Sequence, residues 1–315
     1  MAVAFIFPGQ GSQTVGMGKA LADTFFEAQA IFAAVDDALG EKLSTIIFEG
    51  PEADLTRTRN AQPALMAVSM AVMRALEAEG ISVKPHAAYV AGHSLGEYSA
   101  LAAAGSISLG DAARLLRLRG EAMQKAVPEG VGAMAALLGL DLGAAEEAAK
   151  EAATADEVCE VANDNAPGQV VVSGQRAAVL RAVEIAKAKG ARRAMLLTVS
   201  APFHCALMQP AAEEMANALA ATKIHPPVVP LVANVLAAPI TDPTEIRKRL
   251  VEQVTGTVRW RESVAWLAAN GVTTLVEIGA GQVLTGLAKR IEPGLSARAI
   301  GSPEAVRAAA AELRT

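Results

Sequence analysis

Ala87-Ala-Tyr-Val-Ala-Gly-His-Ser-Leu-Gly96 is the stretch on which the fold turns. Its first five residues are apolar and read as a short buried strand. Gly92 ends that strand, and a helical pattern runs from about Ser94 to Ala104. Gly92 to Gly96 fits G-x-S-x-G in the strand–turn–helix context that this pattern requires. On so tight a turn, side chains at the two glycine positions would collide with the chain. The turn leaves the Ser94 hydroxyl exposed beside a helix N-terminus, where amide donors face developing negative charge. An ordinary Gly-Ser loop would carry the same letters; the strand before and the helix after favour a nucleophile.

Outward from this turn, strands and helices alternate. Residues 2–7 read as a first strand, ending at the turn-rich Pro8-Gly-Gln-Gly-Ser-Gln13, and helical patterns cover about 17–38 and 60–79. Asp111 opens a helix that runs to about Val127 and is closed by Pro128 and Gly130. Residues 131–198 then carry strand 131–138, helix 141–153, strand 157–163, strand 169–173, helix 175–189 and strand 193–198. That is the β-α-β-β-α-β order of a ferredoxin-like unit. The larger pattern resumes near Ser200, with strands near 229–233 and 273–278 and helices near 206–221, 243–254 and 259–269. The fold class is therefore α/β, a mostly parallel sheet covered on both faces with a small inserted domain. The division is 1–128 and 199–315 for the large domain and 129–198 for the small one.

Composition narrows the function classes. The chain has 315 residues, of which 52% are hydrophobic and 19% charged, enough for a sizeable core. Its net charge of −5 is spread without long blocks of either sign, which argues against nucleic-acid binding. Cys159 and Cys205 are too few for a disulfide framework, and with His86, His93, His204 and His225 they form no metal-ligand spacing. The apolar N-terminus lacks a basic flank and stops at Pro8-Gly9, and no later run reaches the length of a membrane span. A cytoplasmic protein is expected. Pro8-Gly-Gln-Gly11 lacks the Lys-Ser/Thr of a phosphate loop, and Gly279-Ala-Gly281 does not match G-x-G-x-x-G. Both read as tight strand-to-helix turns, the first positioned to lend the Gln10 N–H to an oxyanion hole.

A serine needs a base, and of the four histidines His204 is best placed. It follows the small domain directly, in Ser200-Ala-Pro-Phe-His204-Cys205, at the rim of an expected cleft. His93 adjoins Ser94 but points elsewhere on such a turn, a packing or hydrogen-bonding residue; His86 and His225 lie beside prolines in solvated loops. No acidic residue stands out as partner for His204, so a neutral carbonyl is expected to orient it. Helix 111–126 presents Ala112, Leu115, Leu116, Ala122, Met123 and Ala126 on one face. Arg119 falls in the middle of that face, while Arg114, Arg117, Glu121, Gln124 and Lys125 fall opposite. An inward guanidinium is costly unless paired. Two readings stand: a salt bridge to a protein carboxylate, or a bidentate clamp for a carboxylate on the substrate.

Together these residues resemble the malonyl-CoA:acyl carrier protein transacylases of fatty acid synthesis. The landmarks run the length of the chain: Phe7-Pro-Gly-Gln-Gly-Ser-Gln13, Gly92-His-Ser-Leu-Gly-Glu-Tyr98, Arg119-Gly120, Gly130-Val-Gly-Ala-Met134, Asn165-Ala-Pro-Gly-Gln169 and Glu277-Ile-Gly-Ala-Gly281. The resemblance implies an α/β-hydrolase-like domain with a ferredoxin-like insertion. It implies Ser94 as acylated nucleophile, His204 as base, Gln10 and Leu95 as oxyanion-hole amides, and Arg119 as binder of the malonyl carboxylate. It also implies that the carbonyl of Gln253 orients the histidine. Phe203 stands where many stand-alone members carry serine, a departure that leaves malonyl favoured. No cofactor is implied beyond the substrate malonyl-CoA and the phosphopantetheine carried by the partner, an acyl carrier protein; a monomer is expected.

Two other functions use the same residues: a serine thioesterase or esterase acting on acyl-CoA, and a non-catalytic carrier-protein binding module. Arg119 and the whole-chain resemblance weigh against the first, and the intact set Gln10, Ser94, Arg119 and His204 against the second. An acidic carrier and a net-negative enzyme need a local basic patch to meet. Lys187, Lys189, Arg192 and Arg193 are candidates for it, with Lys289 and Arg290 the next.

Overall fold

A computed structural model describes residues 2–314. Ten strands form two sheets among these residues. In chain order they are β1 (Ala2–Phe7), β2 (Tyr89–Gly92), β3 (Gly132–Leu138), β4 (Cys159–Ala166), β5 (Gln169–Gln175), β6 (Arg193–Leu196), β7 (Leu231–Ala233), β8 (Ala238–Ile240), β9 (Val272–Ile278) and β10 (Ser296–Ile300). The large sheet has the order β10-β9-β1-β2-β7-β8 and is parallel except at its edge, where β8 runs antiparallel to β7. Its central strands are buried on both sides, as apolar runs such as Ala4–Phe7 require. The second sheet is antiparallel, in the order β4-β5-β3-β6, with helices Leu142–Ala152 and Arg176–Ala188 packed together on it. It has its own apolar core, built largely from alanine and valine. Its strands span residues 132–196, inside the segment 129–198 read as the insertion.

β1 and β2 are adjacent and parallel, with Phe7 opposite Gly92. Both strands therefore end at the same edge of the sheet, and the loops that follow them, Pro8–Gln13 and His93–Leu95, emerge side by side. The C-terminal edge of a parallel sheet is where such folds bind ligands. The glycines of the turn are sterically required. A Cβ at Gly92 would come 1.9 Å from the Gly96 carbonyl carbon, and one at Gly96 would come 2.3 Å from the Phe7 oxygen.

Several boundaries differ from the sequence reading. The helix expected over 17–38 is broken at Phe25, whose extended backbone (φ −118°) separates Lys19–Thr24 from Phe26–Leu39. The helix expected to open at Asp111 starts at Leu109, because Ser108 is its cap and accepts the Asp111 N–H at 3.0 Å. Short helices at Leu43–Glu49 and Glu52–Thr56, edge strands β8 and β10, and the helices Val283–Ile291 and Pro303–Leu313 are additional to the elements read from the sequence. Arg117, read as lying on the polar face of its helix, is buried: it donates to the Arg59 carbonyl and Asn60 Oδ1 and pairs with Glu41. The N-terminal end of helix Thr58–Ala78 covers it, a long-range contact that a helical wheel does not contain.

Candidate active site

Between the two sheets lies a cavity of about 340 Å³. The large domain lines it with Gln10, Gln62, Ser94, Arg119, Phe203 and His204, and the small one with residues that include Met134, Asn163, Asn165 and Val171. A second, more open groove of about 460 Å³ beside Glu146, Lys150 and Thr257 contains neither Ser94 nor His204.

Ser94 occupies the turn in a left-handed conformation (φ 53°), which is uncommon for a residue with a side chain and marks a position held by its surroundings. Its N–H donates to Asn234 Oδ1 at 2.7 Å, while Asn234 Nδ2 donates to the Gly92 carbonyl, also at 2.7 Å. One side chain thus clamps both sides of the turn. The Ser94 Oγ lies 2.8 Å from His204 Nε2, and His204 Nδ1 lies 2.8 Å from the Gln253 carbonyl. A carbonyl only accepts, so Nδ1 carries the proton and Nε2 presents its lone pair to the serine hydroxyl. His204 itself has a positive φ of 57°. Burial above all, and then the charge of Arg119, hold its pKa down to about 3, so the ring is neutral and free to accept a proton.

Arg119 is buried to 1% exposure at the floor of the cavity. It donates to Gln62 Oε1 at 2.8 Å, to Gln253 Oε1 at 2.8 Å and to the Ser94 Oγ at 3.1 Å. No carboxylate among the described residues comes within 4.0 Å of it, so the salt-bridge reading fails. Its Nε has no hydrogen-bond partner among the described residues. Of the five N–H donors of a guanidinium, three are engaged, and the Nε–H and one Nη1–H have no partner among the described residues. An anion entering the cavity meets a buried cation with no carboxylate in direct contact. Two backbone N–H groups near the serine, those of Gln10 and Leu95, likewise donate to no acceptor among the described residues.

His93 is partly buried beside Trp260, its Nε2 2.8 Å from Asn165 Oδ1, and it makes no hydrogen bond with the Ser94 hydroxyl. His225 is exposed; His86 is only partly so, with its Nδ1 near the backbone of Ser82.

Four residues of the site escaped the sequence reading: Gln62, Glu97, Asn165 and Asn234. Each acts through a partner remote in sequence; Asn234 lies 140 positions from the serine it holds. Glu97 had one available signal, an acidic residue in the first helical turn after the nucleophile, but such a position is ordinarily explained by the helix dipole. The side chain of Gln253 does more than its carbonyl: its Nε2 donates to the Ser94 carbonyl at 2.9 Å and also contacts Glu97 Oε2.

The four basic residues considered for a docking patch differ in their surroundings. Lys187 pairs with Glu184, and Lys189 pairs with Glu147 and Glu151. Arg192 and Arg193 are exposed and make no ion pair among the described residues.

Comparison with known proteins agrees along the chain. The acyl transferase domain family matches residues 4–306. The malonyl CoA-acyl carrier protein transacylase of Bacillus subtilis strain 168 is 46% identical over 312 residues, covering 99% of this chain and 97% of the relative. That of Escherichia coli K12 is 48% identical over 306 residues, covering 97% and 98%. The crystal structure of the acyl-carrier-protein S-malonyltransferase of Bartonella henselae superposes with a TM-score of 0.98 at 58% identity, covering 100% of both chains. A malonyl-transacylase solved in complex with a type II acyl-carrier protein superposes with a TM-score of 0.95 at 44% identity, covering 99% of this chain and 100% of that one.

Proposed function

The chain belongs to the acyl transferase family, and we propose that it moves a malonyl group from malonyl-CoA to the phosphopantetheine thiol of an acyl carrier protein. The observation that carries this reading is the pairing of Ser94, 2.8 Å from a neutral histidine, with an arginine that is fully buried and lacks a protein carboxylate.

Transfer proceeds in two halves. The malonyl carboxylate pairs with the Arg119 guanidinium, which places the thioester carbonyl over Ser94. His204 Nε2 accepts the hydroxyl proton as the Ser94 Oγ attacks that carbonyl carbon. The Gln10 and Leu95 amides hold the oxyanion, and the Gln253 carbonyl steadies the imidazolium through Nδ1–H. When the tetrahedral intermediate collapses, the C–S bond breaks and coenzyme A leaves with the proton from His204. In the second half the carrier's thiol gives its proton to His204 and attacks the malonyl ester. The C–O bond breaks, and the proton returns to Ser94. No resident cofactor enters the scheme, because the reacting groups arrive on coenzyme A and on the carrier.

The docked carboxylate also offsets the charge of Arg119, which otherwise disfavours the imidazolium. Substrate binding therefore raises the basicity of His204 when a base is needed. Phe203, buried at the cavity wall beside His204, limits the room for a substituent on the malonyl α-carbon.

No helix among the described residues is long and apolar enough to cross a membrane. The reading is that of a cytoplasmic enzyme acting as a monomer. Intact-mass measurement tests the function: malonyl-CoA should add one malonyl group to the protein, Ser94→Ala should abolish the adduct, and carrier protein should remove it with gain of the same mass. Release of free malonate in place of transfer would make the protein a thioesterase.

A further inference from the structure

Glu97 lies directly behind the site, 1% exposed, on the helix Gly96–Ala103. Its Oε1 accepts the Asn234 N–H at 2.9 Å, and its Oε2 contacts the Nε2 of Gln253. Both carboxyl oxygens thus face donors. The Oε1 of the same Gln253 amide accepts from Arg119 at 2.8 Å. The chain of contacts runs from guanidinium to amide oxygen and from amide N–H to carboxyl. It is an ion pair bridged by a neutral amide, and it joins the buried cation of the site to a buried acid.

We propose that Glu97 and the carboxylate of the substrate compete, through Gln253, for the single charge of Arg119, so that the enzyme takes up a malonyl group with Glu97 protonated. The inference rests on Arg119 as the carboxylate site of the proposed reaction. With Glu97 ionised, the guanidinium is already compensated, and a second carboxylate would leave one buried negative charge unbalanced. Malonyl binding at alkaline pH therefore draws one proton from solvent onto a Glu97 oxygen. No other bond changes. Glu97 is a positioning and selectivity residue, since it reaches the substrate only through Gln253 and Arg119.

The groups facing Glu97 do not titrate in the same range. Burial pushes Glu97 up to about 8. Tyr98, next along the helix, is pushed up to about 12 by burial. Arg119 stays charged on the neighbouring helix although burial lowers its pKa; His204 is held down to about 3, and burial lowers His93 as well. Between pH 7 and 9 Glu97 is the titrating member of the cluster.

The test uses Ser94→Ala protein, which binds thioesters without being acylated. Calorimetric titration with malonyl-CoA and with acetyl-CoA, at pH 7 and pH 9 in buffers of different ionisation enthalpy, reads both affinity and proton uptake. Malonyl-CoA should bind up to about tenfold more weakly at pH 9 than at pH 7, with uptake approaching one proton at pH 9. Acetyl-CoA should show neither effect. In the Ser94→Ala/Glu97→Gln protein the pH dependence for malonyl-CoA should vanish. Equal proton uptake for the two thioesters on the Glu97-intact protein overturns the proposal, whether or not the double variant folds. Failure of the native enzyme to form malonyl-Ser94 would instead overturn the proposed function, and the two failures are distinguishable.

Discussion

Replacing Arg119 by alanine should collapse the preference for malonyl over acetyl groups. The size of the effect follows from the donors. Two N–H groups have no protein partner, and the residue is buried, so solvent screens little of its interaction with a substrate carboxylate. A charge-assisted hydrogen bond contributes about 1.5–3 kcal/mol, and the substrate carboxylate also loses its pairing with the buried cation. A combined loss of about 3 kcal/mol lowers kcat/KM for malonyl-CoA roughly a hundredfold. The substitution also frees Gln62 Oε1 and Gln253 Oε1, which disturbs the site for any substrate. Acetyl-CoA controls for that disturbance, because its methyl group never used the guanidinium. The assay is quenched-flow acylation of Ser94 by each thioester, followed by intact mass. The quantity that matters is the malonyl-to-acetyl ratio of kcat/KM, expected to fall about a hundredfold in Arg119→Ala. Arg119→Lys should lose much of the same selectivity, because an ammonium cannot reproduce the planar fork. A ratio unchanged in Arg119→Ala, with both substrates slowed alike, would refute the clamp and reduce Arg119 to a structural role.

Other expectations concern the base, the turn and the carrier. Because His204 is held at about 3, the acylation rate should show no inflection near pH 6.5. Arg119→Ala removes a neighbouring cation, so its His204 pKa and the acid limb of its rate profile should move upward; a wild-type inflection near 6.5 would contradict the cause assigned to the shift. His204→Ala should slow acylation by about 10²–10⁴-fold with folding retained, whereas His93→Ala, which loses only the Asn165 contact and its packing on Trp260, should act more on stability. Asn234→Ala leaves the Ser94 N–H and the Gly92 carbonyl without their partner and should cost about 2–4 kcal/mol in urea unfolding, checked by the shift in midpoint at constant slope. Reversing Arg192 and Arg193 to glutamate should raise KM for carrier protein and weaken its salt dependence while leaving acylation by malonyl-CoA intact. Reversing Lys187 and Lys189, already paired with glutamates, should do less; equal effects on both half-reactions would point to Lys289 and Arg290 instead.

The sequence by itself determined what local geometry controls. A strand, two glycines and a helix specify a nucleophile turn within ten residues, because the Cβ clashes at Gly92 and Gly96 are contacts of that turn with itself and with the strand beside it. The periodicity of helix 111–126 singled out Arg119, since burial of one face follows from spacing alone. The alternation over 131–198 likewise set out the small α/β unit. Only the tertiary structure decided what stands across the cavity. The absence of a carboxylate around Arg119 depends on three side chains brought together by different elements, Gln62, Ser94 and Gln253, the last 134 positions away. Glu97 and Asn234 look ordinary in sequence, an acid in a first helical turn and a polar residue after a strand. Their roles exist because the parallel sheet places β7 beside β2, so that a residue at one strand end can clamp the turn at the other. Arg117 erred in the opposite direction, buried by a helix that its own spacing could not announce. Periodicity reports which face of an element is covered when one neighbour dominates; which polar group meets which is set by long-range packing, where contact requires proximity in space and none in sequence.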